Sequence, residues 1–142
     1  MLYKLGVTGS AYSPQGGLRI SANDLARVGQ MFLRGGEDFL KPETLAVMTA
    51  PAWRFDGQNG DSEDGYFCGY GLGIHILGLS GRPASCKDEP FADGKTRYGH
   101  SGEAYSLRSG LWWEPLSKSG TAFFRTEVPD ETSADHCIYF CR

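Results

Sequence analysis

The chain has 142 residues, 14 basic and 17 acidic, giving a formal net charge of −3, with 40% hydrophobic and 22% charged residues. These proportions are ordinary for a globular domain and far from the sparse, highly charged composition of disordered chains. No Lys or Arg run offers a nucleic-acid surface, no apolar stretch approaches the ~20 residues that span a bilayer, and Met1 to Ser10 lacks a signal peptide's continuous apolar segment. Glycine is the deviation, at 20 residues, where average usage of about 7% would supply roughly ten. That density, without a repeat, implies many tight turns or close backbone approaches. The length implies one unit, residues 1–142, rather than two independent domains.

Residues 1–20 read as a turn-rich entry, broken by Gly6, Gly9, Ser10, Ser13, Pro14, Gly16 and Gly17. A helix follows. Ser21 with Asp24 resembles a capping box, Leu25, Ala26, Phe32 and Leu33 recur at helical spacing, and Gly35 with Gly36 supplies the stop. A second, shorter helix opens at Pro42, turns Leu45, Ala46 and Met48 inward, and ends before Pro51. Residues 54–65 form an acidic loop whose Asp and Asn order does not match a calcium loop.

Strands dominate thereafter. Tyr70, Leu72, Ile74 and Ile76 alternate with Gly71, Gly73 and His75, predicting one strand with a large apolar face and a nearly bare one. Residues 78–95 form a variable connection containing Gly, Pro and Ser. Further strands are expected over Tyr98–Ser101, over Ser106–Trp113 with Tyr105, Leu107, Ser109, Leu111 and Trp113 on one face, and over Thr121–Thr126 with Phe123 and Phe124 on opposite faces. A closing helix would align Ala134, Cys137, Ile138 and Cys141. Helices and strands in segregated runs argue for an α+β fold, an antiparallel sheet flanked by helices.

Cys68, Cys86, Cys137 and Cys141 are too few for a disulfide scaffold and include no C-x-x-C. Buried free thiols are the first expectation, since free Cys packs as a small hydrophobe. A Cys68–Cys86 disulfide in an oxidising compartment comes second and a metal role last. Of the three histidines, His75 and His136 read as structural, because nothing nearby completes a triad or a metal set. His100 stands apart, bracketed by Gly99 and Gly102 and followed by the Ser101 hydroxyl.

Several segments together carry a family resemblance. Ser13-Pro14-Gln15-Gly16-Gly17-Leu18-Arg19-Ile20-Ser21-Ala22-Asn23-Asp24-Leu25-Ala26-Arg27, Gly35-Gly36, Leu40-Lys41-Pro42-Glu43-Thr44-Leu45, Tyr70-Gly71-Leu72-Gly73 and Gly99-His100-Ser101-Gly102 occur in this order. They resemble the later part of the serine β-lactamase and penicillin-binding-protein-like superfamily, nearest to class C β-lactamases and their esterase and D-aminopeptidase relatives. The likeness runs over about the first 125 residues, with nothing matched over 58–66 or 82–95.

The resemblance implies the C-terminal part of a β-lactamase/transpeptidase-like fold and acyl transfer through a serine ester, with no cofactor and no metal. His100-Ser101-Gly102 resembles the third motif on the cleft-lining strand. His100 would orient or protonate substrate groups, Ser101 would hydrogen-bond a substrate carboxylate or carbonyl, and the Glu103 backbone N–H would be an oxyanion-hole donor. The family's nucleophile lies in Ser-x-x-Lys and its second motif is Tyr-x-Asn. No serine here has Lys three residues on, and no tyrosine has Asn two residues on.

The chain alone should therefore not hydrolyse esters or amides by the family route. Its partners would be a small-molecule acyl substrate once complemented and the family's N-terminal portion, or, through an exposed sheet edge, a second copy of itself. Relatives are often periplasmic or secreted. A non-catalytic binding module derived from the same fold is the alternative reading; a metal hydrolase using His75, His100 and the cysteines is a third.

Overall fold

The computed structural model describes residues 17–104 and 106–128. The residues Met1 to Gly16, Tyr105 and the closing segment with Ala134, His136, Cys137, Ile138 and Cys141 lie outside the described residues, and so do the expectations placed on them. The rest is an α+β arrangement of two helices and a six-stranded, wholly antiparallel open sheet in the order β1-β2-β3-β4-β5-β6.

Helix α1 runs from Ala22 to Leu33. Its Ser21 cap accepts the Asp24 N–H through Oγ at 3.1 Å, the first half of a capping box, while the Asp24 carboxylate accepts the Ser21 hydroxyl at 2.8 Å where the full box would take the Ser21 backbone N–H. Gly35 and Gly36 end the helix with φ of 77° and 96°, the left-handed conformation glycine reaches without a Cβ penalty. The helix is seated on the sheet by the Phe32 ring, stacked on Trp113 with centroids 4.3 Å apart, and by Gly29. A Cβ at Gly29 would come within 2.8 Å of Leu111 Cδ1. Helix α2, Pro42–Thr49, starts on its proline and carries no buried residue. Leu45 and Met48 are half-buried, but Ala46, expected inward, is exposed.

The strand expected from Tyr70 to Ile76 is instead a hairpin. Strand β2 is Gly69–Tyr70 and β3 is His75–Leu77, with Tyr70 opposite His75. Alternating residues satisfy a strand pattern, but two constraints bend this one. A side chain at Gly71 would meet the Met48 carbonyl at 2.1 Å, while Gly73 has a φ of 69°. The Gly71 N–H then closes on the Ile74 carbonyl at 2.8 Å. Strand β1, Trp53–Arg54, pairs outside β2. Beyond β3 lie the long strands β4, Arg97–Ala104, β5, Leu107–Glu114, and β6, Ser119–Arg125. Phe123 lies opposite Gly110 and Phe124 opposite Ser109, so these two rings take opposite faces.

The core lies beneath β2, β3 and β5: Ile74, Ile76, Leu77, Leu79, Trp112, Trp113, Phe55 and Cys68 are buried. Free thiols, the first expectation for the cysteines, are corrected for one pair. Cys68 and Cys86 form a disulfide across 18 residues, because the connection over 78–95 folds back onto the segment just before β2 that carries Cys68. That connection is tied down rather than solvated. Asp88, fully buried, accepts the Gly78 N–H at 3.1 Å and pairs with Arg82 Nε at 2.6 Å. Lys87 N–H donates to Gly65 O at 2.8 Å, and Arg97 holds Asp93 by two bonds of 2.7 Å. The acidic loop is likewise self-satisfied, with Asp56 Oδ1 accepting the backbone N–H of Gln58 and Asn59.

Closing an 18-residue loop should stabilise the fold by about 3 kcal/mol through the unfolded chain's lost entropy. Cys86→Ser is expected to lower stability by about that amount in urea unfolding. Wild type in excess reductant should fall to the same midpoint, and an unchanged midpoint in both would show that the bridge does not form.

Candidate functional site

Strand β4 carries the residues singled out by sequence, and its pairing decides how they are presented. On one side it is matched to β5 at every residue but its first, from Tyr98 opposite Trp113 to Ala104 opposite Leu107. On the other it meets β3 only at Arg97, Tyr98 and Gly99. The backbone direction at the unmatched stretch follows from the hairpin. The Gly71 to Ile74 hydrogen bond flanks the Tyr70 and His75 pair, making it a non-hydrogen-bonded pair, so the N–H and C=O of His75 turn the other way, toward β4. Its partner Gly99 therefore directs its own groups at β3. Two and four residues on, Ser101 and Glu103 repeat that direction, where β3 has ended. The Ser109 hydroxyl reaching Gly102 O at 3.4 Å agrees, since it places the Gly102 carbonyl on the β5 side.

An open backbone edge at Ser101 and Glu103 results, unpaired by any strand among the described residues. Glycine permits it at the start. Gly99 is buried, and a Cβ there would sit 1.9 Å from the Leu111 carbonyl and 2.7 Å from Trp112. The His100 side chain is exposed, and its Nδ1 lies 2.5 Å from Ser101 O. A carbonyl only accepts, so Nδ1 carries the proton and, in the neutral ring, Nε2 offers its lone pair outward. The Ser101 hydroxyl accepts from the Tyr66 phenol at 3.5 Å. Glu103 turns its carboxylate to Arg108, 2.8 Å away, leaving its backbone N–H at the edge.

Behind this edge His75 is fully buried in an aromatic box. Tyr70 stacks on it with centroids 4.8 Å apart, and Tyr66, Phe67 and Trp112 surround it at 5.0, 5.1 and 5.3 Å. Nε2 donates to Tyr66 O at 3.1 Å. Burial, with the nearby His100 adding to it, lowers the His75 pKa to about 3, so the ring is neutral at physiological pH and acts as packing and a strut for Tyr66. Ser101 and Glu103 thus stand at the open edge with the exposed His100 ring beside them, Gly102 is turned to β5, and His75 is set beneath.

Tyr66 was not visible as a site residue in the sequence. It contacts Ser101 across 35 residues, and its only local signal is a tyrosine following the acidic loop. Among the described residues no serine hydroxyl is hydrogen-bonded to a histidine or lysine, and no group of three His, Cys, Asp or Glu side chains could hold a metal ion. What the edge can do is bind: an outward N–H for a carbonyl or oxyanion, a hydroxyl beside it, and an imidazole that can donate or accept. No described helix is long and apolar enough to cross a membrane. No protein-family model, curated protein or solved structure matches the chain.

The buried imidazole predicts a pH dependence. With a folded pKa of about 3 against about 6.5 unfolded, the unfolded chain binds the extra proton between those values. Stability is therefore complete above pH 6.5 and lost as pH falls, by about 1.4 kcal/mol per unit. Urea unfolding between pH 6.5 and 5 should show this loss in wild type and its absence in His75→Phe, the buried Asp88, whose pKa burial raises, being common to both proteins. Parallel profiles for the two proteins would show that His75 is not held neutral.

Proposed function

We propose that this chain is the C-terminal, cleft-forming part of a β-lactamase-related serine hydrolase. It would take part in acyl transfer or hydrolysis of a β-lactam, an ester or a D-amino-acid peptide. The observation that carries the reading is the open β4 edge. The Glu103 N–H, one residue beyond His100-Ser101-Gly102, faces the side of the strand that β3 leaves free. A donor fixed there before reaction is what an oxyanion hole requires, since preorganised N–H groups stabilise developing charge without reorganising.

In this reading the substrate carbonyl lies along the edge with its oxygen on the Glu103 N–H. Ser101 Oγ hydrogen-bonds a substrate carbonyl or carboxylate. His100 Nε2 orients a substrate donor or, when protonated, gives a proton to a leaving group. The attacking serine and its lysine come from a segment bearing Ser-x-x-Lys and Tyr-x-Asn, which this sequence does not contain. Binding groups without a nucleophile retain recognition but form no acyl-enzyme. The absence of any described serine hydroxyl bonded to a histidine or lysine favours, as the second reading, a non-catalytic binding module built on the same strand.

The two readings separate in one assay. The chain alone and the chain mixed with a separately expressed N-terminal portion carrying both motifs are given a chromogenic β-lactam and a short-chain aryl ester. Turnover is expected only in the mixture, and Ser101→Ala should lower kcat/KM of the mixture by about tenfold, the loss of one hydrogen bond. Turnover by the isolated chain would falsify the missing-nucleophile argument. A mixture that assembles by sedimentation yet turns over neither substrate would leave the binding module.

A further inference from the structure

The segment that covers His75 is both bent and tied within a few residues. Glu63, Asp64 and Gly65 turn in succession through the left-handed region, with φ of 42°, 55° and 93°, and the first two lack glycine's freedom there. Such backbone persists only where its surroundings hold it. Among its ties to the 78–95 connection are the Lys87 N–H on the Gly65 carbonyl at 2.8 Å and the Cys68–Cys86 disulfide. Gly65 itself is buried, and a Cβ there would stand 2.2 Å from the Ser85 carbonyl. Tyr66 and Phe67 lie between the turn and the bridge, and the Tyr66 phenol reaches the Ser101 hydroxyl at 3.5 Å. At that length a small retreat of the phenol ends the contact. A strained turn, its covalent tie and a hydroxyl of the candidate site are thus coupled through one tyrosine.

We infer that the Cys68–Cys86 bridge is a redox-sensitive device that sets the hydrogen-bonding role of Ser101 through Tyr66. In the oxidised chain the phenol donates to Ser101 Oγ, so the serine proton is left to donate to an acceptor-only group such as a carbonyl or carboxylate. Reduction by a dithiol removes the covalent tie. Its thiolate attacks the Cys86 sulfur, since Cys86 is half-buried and Cys68 fully buried, forming a mixed disulfide and releasing the Cys68 thiolate, which takes a proton. The second sulfur of the dithiol then displaces Cys86, which leaves as a thiolate and is protonated, while the dithiol closes into its own ring disulfide. Two electrons and two protons pass to the cysteine pair. With the tie gone, the turn at 63–65 relaxes, the Tyr66 phenol leaves Ser101, and the serine accepts as readily as it donates. His75 Nε2 keeps the Tyr66 carbonyl, so the segment stays near enough for the bridge to re-form. The effect on turnover rests on the acyl-transfer reading, in which Ser101 meets a substrate carbonyl or carboxylate; the redox response itself does not.

The probe is dithiothreitol, added to the isolated chain under native conditions, with peptide mapping after alkylation to confirm that Cys68 and Cys86 are both reduced. In NMR spectra the Tyr66 and Ser101 signals should shift and the amides of 63–67 should exchange faster. Over the same change α1 and β5 should keep their chemical shifts, and reoxidation should restore the first spectrum. Tyr66→Phe is expected to show the reduced Ser101 signals before any reductant is added. Asp64→Gly relieves the turn, so its Ser101 signals should move less on reduction. Complete unfolding on reduction, Tyr66 and Ser101 signals that do not move, or a Ser101 response undiminished in either variant would each overturn the inference. In the complemented mixture, once the dithiol has been removed, the reduced chain should show a kcat/KM several-fold below the oxidised one, within the about tenfold that one hydrogen bond is worth. A mixture that turns over neither substrate, with the redox response of Ser101 intact, would count against the acyl-transfer reading alone.

Discussion

One strand with two unequal neighbours organises this protein. Because β4 is matched to β5 over seven residues but to β3 over only three, half of one backbone edge is left facing outward. Every group of chemical interest is placed by that mismatch. Had β3 continued back through residues 71 to 74, the Ser101 and Glu103 amides would be ladder bonds and nothing else. The hairpin prevents it, turning through Gly73 and held against α2 by the Leu72 N–H on the Met48 carbonyl at 2.9 Å, an approach that only glycine at residue 71 permits. A helix terminus thus helps hold the turn that leaves part of a distant strand available.

The two sheet faces serve different ends. On one, α1 covers the β5 and β6 surface through Phe32 on Trp113 and Gly29 on Leu111, an apolar contact with a single geometry. On the other, the segment leading to Cys68 lays Tyr66 and Phe67 over His75. It is secured covalently by the disulfide and by the His75 bond to the Tyr66 carbonyl. A neutral imidazole suits the position because it fills aromatic volume while still donating one hydrogen bond, which phenylalanine would not.

Much of this arrangement is written locally and can be read without coordinates. Helix α1 is announced by Ser21, Asp24 and the two glycines that stop it, and the long strands by their alternation, because caps and faces depend on residues a few positions apart. The segregation of helices from strands is sufficient for the α+β class. The His100-Ser101-Gly102-Glu103 run could be picked out as a candidate, but not the fact that Glu103 faces an unpaired edge, which depends on where β3 ends. What escaped is non-local. The period-two pattern of residues 70 to 76 is compatible with a strand, and the turn at Gly73 with the docking of Leu72 on the Met48 carbonyl makes it a hairpin. The Cys68–Cys86 bridge and the Tyr66 contact with Ser101 each join residues far apart in sequence, which no single-sequence pattern specifies.

The hydrogen bond from His100 to the neighbouring carbonyl has a consequence for what can pair with the open edge. An unpaired strand edge is a template on which another chain can add a strand, and proteins blunt such edges with charge or with occupied backbone groups. Here the imidazole proton already holds the Ser101 carbonyl, and the next outward position carries the acidic side chain of Glu103. An incoming extended segment would have to displace the first and pass the second before it could register. The imidazole at the edge is therefore an obstacle to a long extended segment that needs every backbone group, and a lesser one to a short ligand that needs a single amide.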